Sequence, residues 1–332
     1  MENADGKLKV GVVGLGKMGL LHASILNTMP NVQLAVLCDK SWFMRKLAKS
    51  ALDGPLVTDK LGKMSDLGLD AVYVTTPIPS HYSIVRDVYA QNITPNLFVE
   101  KTLALNHAQS AELYNLSQKP KGVTMVGYMK RFSVTFKKVK ELLDQKILGD
   151  LLSFNAYAYS SDFFGATKGS VSGSRGGVLE DLGSHVTDLA LWFFGDLHVS
   201  SAKIQSSISL GSVDSIHFEV DGANAFKGKF DVSWVKEGYR MPEFGLAIRG
   251  SNGFVRVDES ELELALDRTP PEKWYRQDLD DHVTFLLGDS EYTRENDLFI
   301  KSIVCNGKPE PNFQTAMKVD FLLEQVRCKA NE

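Results

Sequence analysis

Between residues 7 and 127, short apolar runs alternate with stretches of helical period, and no other feature constrains the fold as much. The runs fall at 8–13, 33–38, 56–58, 71–76, 96–99 and 123–126. They are rich in Val and Leu and lack strict polar alternation, the pattern of parallel strands covered on both faces. The stretches between them, at 18–27, 42–52, 80–90 and 106–117, are each long enough for a crossover helix. Such alternation predicts an α/β fold built on a doubly wound parallel sheet.

The first run opens into Gly14-Leu15-Gly16-Lys17-Met18-Gly19, a glycine fingerprint between strand and helix, where a Rossmann dinucleotide site carries it. Gly14 permits the tight turn, Gly16 lets a pyrophosphate approach the backbone, and Gly19 lets helix pack on strand. The helix start at Lys17 and Met18 then offers amide donors and a positive dipole to phosphate. Asp39 ends the second strand about 20 residues past Gly19, where an acid accepts from a ribose 2′-hydroxyl and repels a 2′-phosphate. NAD is therefore the expected cofactor. Lys40 and Ser41 follow at once and could soften the preference, so NADP stays open. The bland alternative is a structural glycine turn with a solvated strand-end Asp; having both features in register favours dinucleotide binding. Further on, Thr76-Pro77 leaves the sheet as an extended loop expected to line the nicotinamide half of the site. His81 either joins that site or packs locally at a helix start.

After residue 127 the texture changes, and the expected domains are 1–127, binding NAD, and 128–332, binding substrate and mediating association. A helix at 134–145 precedes a strand at 151–159, and a Gly-rich loop leads into a helix at 178–194. Strands at 202–208, 216–220, 225–234, 244–248, 253–257 and 262–266 then predict a large, mostly antiparallel open sheet in an α+β domain. Helices at 294–305 and 313–328 close the chain, the second capped by Asn312.

Two segments carry candidate chemistry. Glu100-Lys101 stands at the end of a buried strand on the ligand-bearing edge, where a lysine can stabilise a developing alkoxide; a surface ion pair is the alternative. Farther on, Arg175-Gly176-Gly177 precedes Asp181, His185 and Asp188. Spacing of four residues puts Asp181 and His185 on one helix face. A carboxylate beside an imidazole, whose ordinary pKa is about 6.5, suits proton transfer to a small substrate. The alternative is a capping Asp and a core His.

Taken together, these segments resemble the Gfo/Idh/MocA family of glucose–fructose oxidoreductase and inositol dehydrogenase. The resemblance rests on the fingerprint followed by His22, Thr76-Pro77 with His81, Glu100-Lys101, the Gly127-to-Phe132 segment, and Gly176-Gly177 leading to Asp181, Gly183, His185 and Asp188. It implies Lys101, Asp181 and His185 as the catalytic group. Cofactor contacts are expected from the fingerprint, Asp39, Lys40, Thr76, Pro77, His81, Glu100 and Lys101. Substrate contacts are expected from Lys101, Tyr128, Arg131, Arg175, Asp181 and His185. Two positions depart from the family pattern: Thr102 replaces the usual Pro after Glu-Lys, and Arg175 replaces the first of three glycines.

The implied activity is hydride transfer between nicotinamide and a secondary alcohol or ketone of a sugar, inositol or related polyol. An NADP-preferring carbonyl reductase on the same fold, or a cofactor-binding regulator without catalysis, are the competing readings. A metal site on Asp181, His185 and Asp188 is weighed and set aside for want of a second His or Cys cluster, so no metal is expected. With 37 basic and 41 acidic residues and net charge −4, the chain offers no basic patch for nucleic acid. No apolar run nears the roughly 20 residues of a membrane span. Three scattered cysteines suggest reduced thiols. A cytoplasmic homodimer or homotetramer is expected, pairing through the open sheet as the family does.

Overall fold

The computed structural model describes residues 6–163, 177–205, 213–281 and 290–332. Its first part is the expected parallel sheet. Strands β1 (Leu8–Val13), β2 (Val32–Cys38), β3 (Leu56–Thr58), β4 (Ala71–Val74), β5 (Leu97–Glu100) and β6 (Thr124–Gly127) line up in the order 3-2-1-4-5-6. Every ladder in it is parallel. Helices α1 (Lys17–Thr28), α2 (Trp42–Ala51), α3 (His81–Ala90) and α4 (His107–Ser117) make the crossovers. Side chains cap two of them: Ser41 accepts the Met44 N–H, and Asn106 accepts the Gln109 N–H at 3.0 Å. The order reverses between β1 and β4, and the carboxyl ends of strands at such a reversal are where ligands bind.

Beyond β6 come α5 (Val134–Asp144), β7 (Leu151–Tyr159) and α6 (Ser184–Phe194), then β8 (His198–Gln205), β9 (Ser215–Asp221) and β10 (Lys227–Ser233). Strands β11 (Glu243–Gly250), β12 (Gly253–Asp258), β13 (Glu261–Leu266) and β14 (Glu272–Tyr275) complete an eight-stranded sheet, ordered 14-13-12-11-7-10-9-8. It is antiparallel except that β10 runs parallel to β7, with Lys227 opposite Ser153 and Ser233 opposite Tyr159. Strand β14 adds to the expected strands. One face of the sheet packs on α6: Phe154 stacks on Phe194 at 4.5 Å, and Phe230 meets Phe154 edge-on. Tyr157, Tyr159, Lys229 and Asp231 alternate onto the other face, where an open hollow of about 850 Å³ is lined by these four residues among others.

Two helices end the chain, α7 (Ser290–Val304) and α8 (Phe313–Ala330). Asn306, at φ 49°, follows α7, and Asn312 caps α8 by accepting the Gln314 and Thr315 N–H groups. Contacts divide the chain into Met1–Tyr128 with Thr284–Asp320, and Met129–Val283 with Phe321–Glu332. The first unit thus takes in 284–320 from beyond the expected cut at 127/128. Tertiary contacts explain the return: Phe299 packs edge-on against Tyr73 at 5.3 Å, and Asn296 meets the buried His22. Neither contact leaves a trace in local periodicity.

Candidate active site

The glycine loop has the geometry its sequence requires. Gly14 sits at φ 94°, a conformation L side chains rarely adopt. A Cβ on Gly19 would fall 1.8 Å from the Gly14 carbonyl oxygen, so helix and strand could not close on any other residue. Nothing lies within 4 Å of the Cβ position of Gly16, leaving that surface open for a ligand to approach. Gly16 caps α1, so the first amides of the helix, from Lys17 and Met18 on, lie at its positive end. Thr75 locks the turn from the neighbouring strand, its hydroxyl donating to the Gly14 carbonyl at 2.7 Å.

Asp39 is tied to this loop. Its Oδ2 accepts the Leu15 N–H and its Oδ1 the Ser41 N–H, both at 2.6 Å. Each oxygen keeps a further acceptor site for a ribose hydroxyl. Arg45 on α2, which the sequence reading passed over, donates from Nη1 to the carbonyls of Asp39 and Lys40 at 2.8 Å and fixes that turn. Lys17, Lys40 and Pro77 are exposed, and Met18 and Thr76 are half-buried. Beside Asp39, burial and then the Asp39 charge push the Cys38 thiol up to about 11, so it stays an unreactive thiol.

Two residues of the expected cofactor set have buried side chains with partners inside the protein. His81 is fully buried, with Nδ1 2.8 Å from the Thr102 carbonyl and Nε2 2.7 Å from the Thr76 carbonyl. Burial lowers its pKa, and the two carbonyl contacts only partly offset this. A neutral ring has one N–H to donate, so it serves one of these carbonyls at a time. His81 thus braces the Thr76 loop and the turn after Lys101 from within. Glu100 is also buried, engaged by His22 and by the Lys101 main-chain N–H. Lys101 is half-buried at the carboxyl end of β5, and the Lys101–Thr102 peptide is cis although Thr102 is no proline. Tyr128 is completely buried.

In the second unit, residues 179–183 form a π-helical turn that runs straight into α6. The expected uninterrupted helix over 178–194 is therefore corrected. Such turns recur at functional sites, and here the turn carries half-buried Asp181, four residues before the buried His185. Trp234, just past β10, donates its indole N–H to Asp181 Oδ2 at 3.3 Å. Phe244 of β11 meets the His185 ring edge-on at 5.2 Å, and the Lys130 ammonium lies 4.5 Å from the same phenyl centroid.

Arg131, expected at the substrate, is engaged within the second unit. It is buried and donates from Nε and Nη2 to both oxygens of buried Asp188, each at 2.7 Å. Among the described residues no group of three His, Cys, Asp or Glu side chains is placed to hold a metal ion. Tyr157 and Tyr159 stand on the sheet face away from α6, hydrogen-bonded to Glu243 and Asp231, so they do not wall the His185 side. Burial first, and those carboxylates second, raise both phenols well above their usual range. Arg175 and Gly176 lie outside the described residues. No helix among those described is long and apolar enough to cross a membrane.

Comparison with known proteins adds to this geometry. Residues 8–128 match the model of an oxidoreductase family with an NAD-binding Rossmann fold, GFO/IDH/MocA, and residues 136–256 match the C-terminal domain of the same family. The dinucleotide served by the glycine loop is accordingly NAD. The chain is 24% identical over 193 residues to the scyllo-inositol 2-dehydrogenase (NAD(+)) of Bacillus subtilis, covering 58% of this chain and 55% of that protein. It is 23% identical over 190 residues to the rhizopine catabolism protein MocA of Rhizobium meliloti, covering 57% and 58%. The chain thus spans little more than half the length of these curated relatives. Among solved structures, levoglucosan dehydrogenase in complex with NADH superposes with a TM-score of 0.87 at 20% identity, over 98% of this chain and 97% of that one.

Proposed function

This chain belongs to the Gfo/Idh/MocA family of oxidoreductases, and on that premise we propose that it moves a hydride between NAD and a secondary alcohol or ketone of a sugar, inositol or related polyol. One observation carries the cofactor half of this reading: Asp39 is fixed against the glycine loop with acceptor capacity to spare. The substrate class is supported by the inositol dehydrogenases among the relatives.

The fingerprint, Asp39, Lys40, Thr76 and Pro77 would hold the dinucleotide. When bound, its nicotinamide supplies the redox chemistry, accepting or giving the hydride. The chain's own residues supply geometry and charge. In the oxidative direction His185 takes the hydroxyl proton as general base. Asp181, held by Trp234, orients His185 and binds a neighbouring hydroxyl. Lys101 holds the reacting oxygen and favours its alkoxide form. Phe244 limits rotation of the His185 ring, which helps keep its nitrogen on the proton it must take. Arg131 and Asp188 serve this arrangement by bracing α6 rather than by touching substrate.

The test is reduction of NAD with a panel of sugars, inositols and other polyols. Turnover with at least one supports the reading. Tight NAD binding with no turnover on any member would favour the regulator. We also propose that the protein is cytoplasmic and that copies associate through the tyrosine-bearing face of the second sheet, which α6 leaves uncovered.

A further inference from the structure

The residue before Lys101 is a carboxylate wholly engaged inside the first unit. Glu100 Oε1 lies 2.9 Å from Nε2 of His22, and Glu100 Oε2 accepts the Lys101 main-chain N–H at 3.1 Å. His22 has no exposed surface, and its ring packs 5.0 Å from Phe98. Its Nδ1 meets the side-chain amide of Asn296 on α7, 2.9 Å from Nδ2 and 3.1 Å from Oδ1. That amide is itself anchored, since Nδ2 also donates to the Tyr292 carbonyl at 2.7 Å. Room for the carboxylate comes from Gly127, where a Cβ would stand 3.1 Å from it.

An ionised carboxylate in this position would be costly to bury without such partners. With them, it gives the Lys101 N–H a charge-assisted acceptor whose position is set by a buried ring held on both sides. The same ring belongs to α1, the helix that starts at the glycine fingerprint. We infer that His22 is a positioning residue: through Glu100 it fixes the main chain at Lys101, and so the direction in which that lysine leaves β5. It touches neither cofactor nor substrate in this role. The inference rests on the proposed use of Lys101 for its effect on turnover, but the link from His22 to the Lys101 amide stands apart from any activity.

Two readouts test it on the full chain. Amide hydrogen exchange at Lys101, followed by NMR without substrate, reports the hydrogen bond to Glu100. His22→Ala is expected to speed that exchange at least about tenfold while exchange in β1 stays unchanged. His22→Gln, whose amide can still donate to Glu100, should restore most of the protection. On a polyol that the wild type oxidises, His22→Ala should lower kcat by about tenfold to a hundredfold, as expected for a reacting group displaced by about 1 Å. NAD affinity should change less than about threefold. If His22→Ala does not fold, Asn296→Ala frees the ring from its other side and is read in the same way. Unchanged Lys101 exchange in the folded variant would overturn the inference, as would an equal rise throughout β1 and β5. Should exchange rise while Lys101→Ala itself keeps full turnover, the link to His22 stands and the proposed use of Lys101 fails.

Discussion

Arg131 and Asp188 form a buried, two-pronged ion pair, with both guanidinium-to-carboxylate distances at 2.7 Å. Asp188 lies one turn past His185 on α6, and Arg131 lies in the short turn before α5, so the pair ties two segments of the second unit together. Removing one partner strands a buried charge, which typically costs about 3–5 kcal/mol. Arg131→Met is therefore expected to lower unfolding free energy by roughly that amount. Arg131→Met with Asp188→Leu should recover most of the loss, because replacing both charges removes the stranded one. Urea unfolding of the two variants checks this; equal stability of single and double variants would show that the pair is not what stabilises the segment.

Cofactor choice is expected to turn on Asp39. Its carboxylate is held by the Leu15 and Ser41 N–H groups, so it is fixed before any ribose arrives. Asp39→Ala removes a charge-assisted hydrogen bond, worth about 1.5–3 kcal/mol, together with the charge that repels a 2′-phosphate. NAD binding should weaken and the NADP-to-NAD affinity ratio should rise. Titration of both cofactors against wild type and variant decides it, and an unchanged ratio would remove Asp39 from the site.

Acid should loosen the turn after Lys101 through His81. Burial holds its pKa below the ordinary 6.5, so the folded state favours the neutral ring. The unfolded chain then binds more protons across that window. The contribution to stability is complete above the ordinary value and is lost as pH falls from about 6.5 towards the lowered one. Unfolding free energy measured from about pH 7 down to about pH 5 should fall less steeply in His81→Gln than in wild type. Parallel slopes would mean that His81 is not the titrating group.

Association should depend on the open face of the second sheet. Tyr157 and Tyr159 stack there at 4.9 Å, each hydrogen-bonded to a carboxylate. Light scattering is expected to give a dimer or tetramer at micromolar concentration. Tyr157→Asp, which sets a second acid beside Glu243, should shift the mass towards monomer. A wild-type monomer would contradict the assignment of this face.

The expected nucleotide site rests on local signals, and the fold and the cofactor agree with them. Gly14, Gly16 and Gly19 are fixed by turn geometry within six residues, and Asp39 by its place at a strand end. What escaped the sequence depends on partners far away along the chain. The resemblance implies Glu100 and His81 as cofactor contacts, and local packing was the other reading for His81; what sequence does not give is their engagement by His22 and by two carbonyls. The pairing of Arg131 with Asp188, 57 residues on, likewise has no local signal. The parallel seam between β7 and β10 was hidden because strand period does not encode direction. The π-helical turn at 179–183 was hidden because its apolar spacing also fits an α-helix.

The most direct test of the account is turnover measured beside NAD affinity for Lys101→Ala, His185→Ala and the double variant. General-base removal typically costs about 10²–10⁴ in rate, and Lys101→Ala should cost at least as much if it stabilises the alkoxide. Residues acting as one unit are not additive, so the double variant should be little worse than the poorer single one. NAD affinity should stay close to wild type throughout. Near-wild-type turnover in either single variant on the true substrate would contradict the role assigned to that residue.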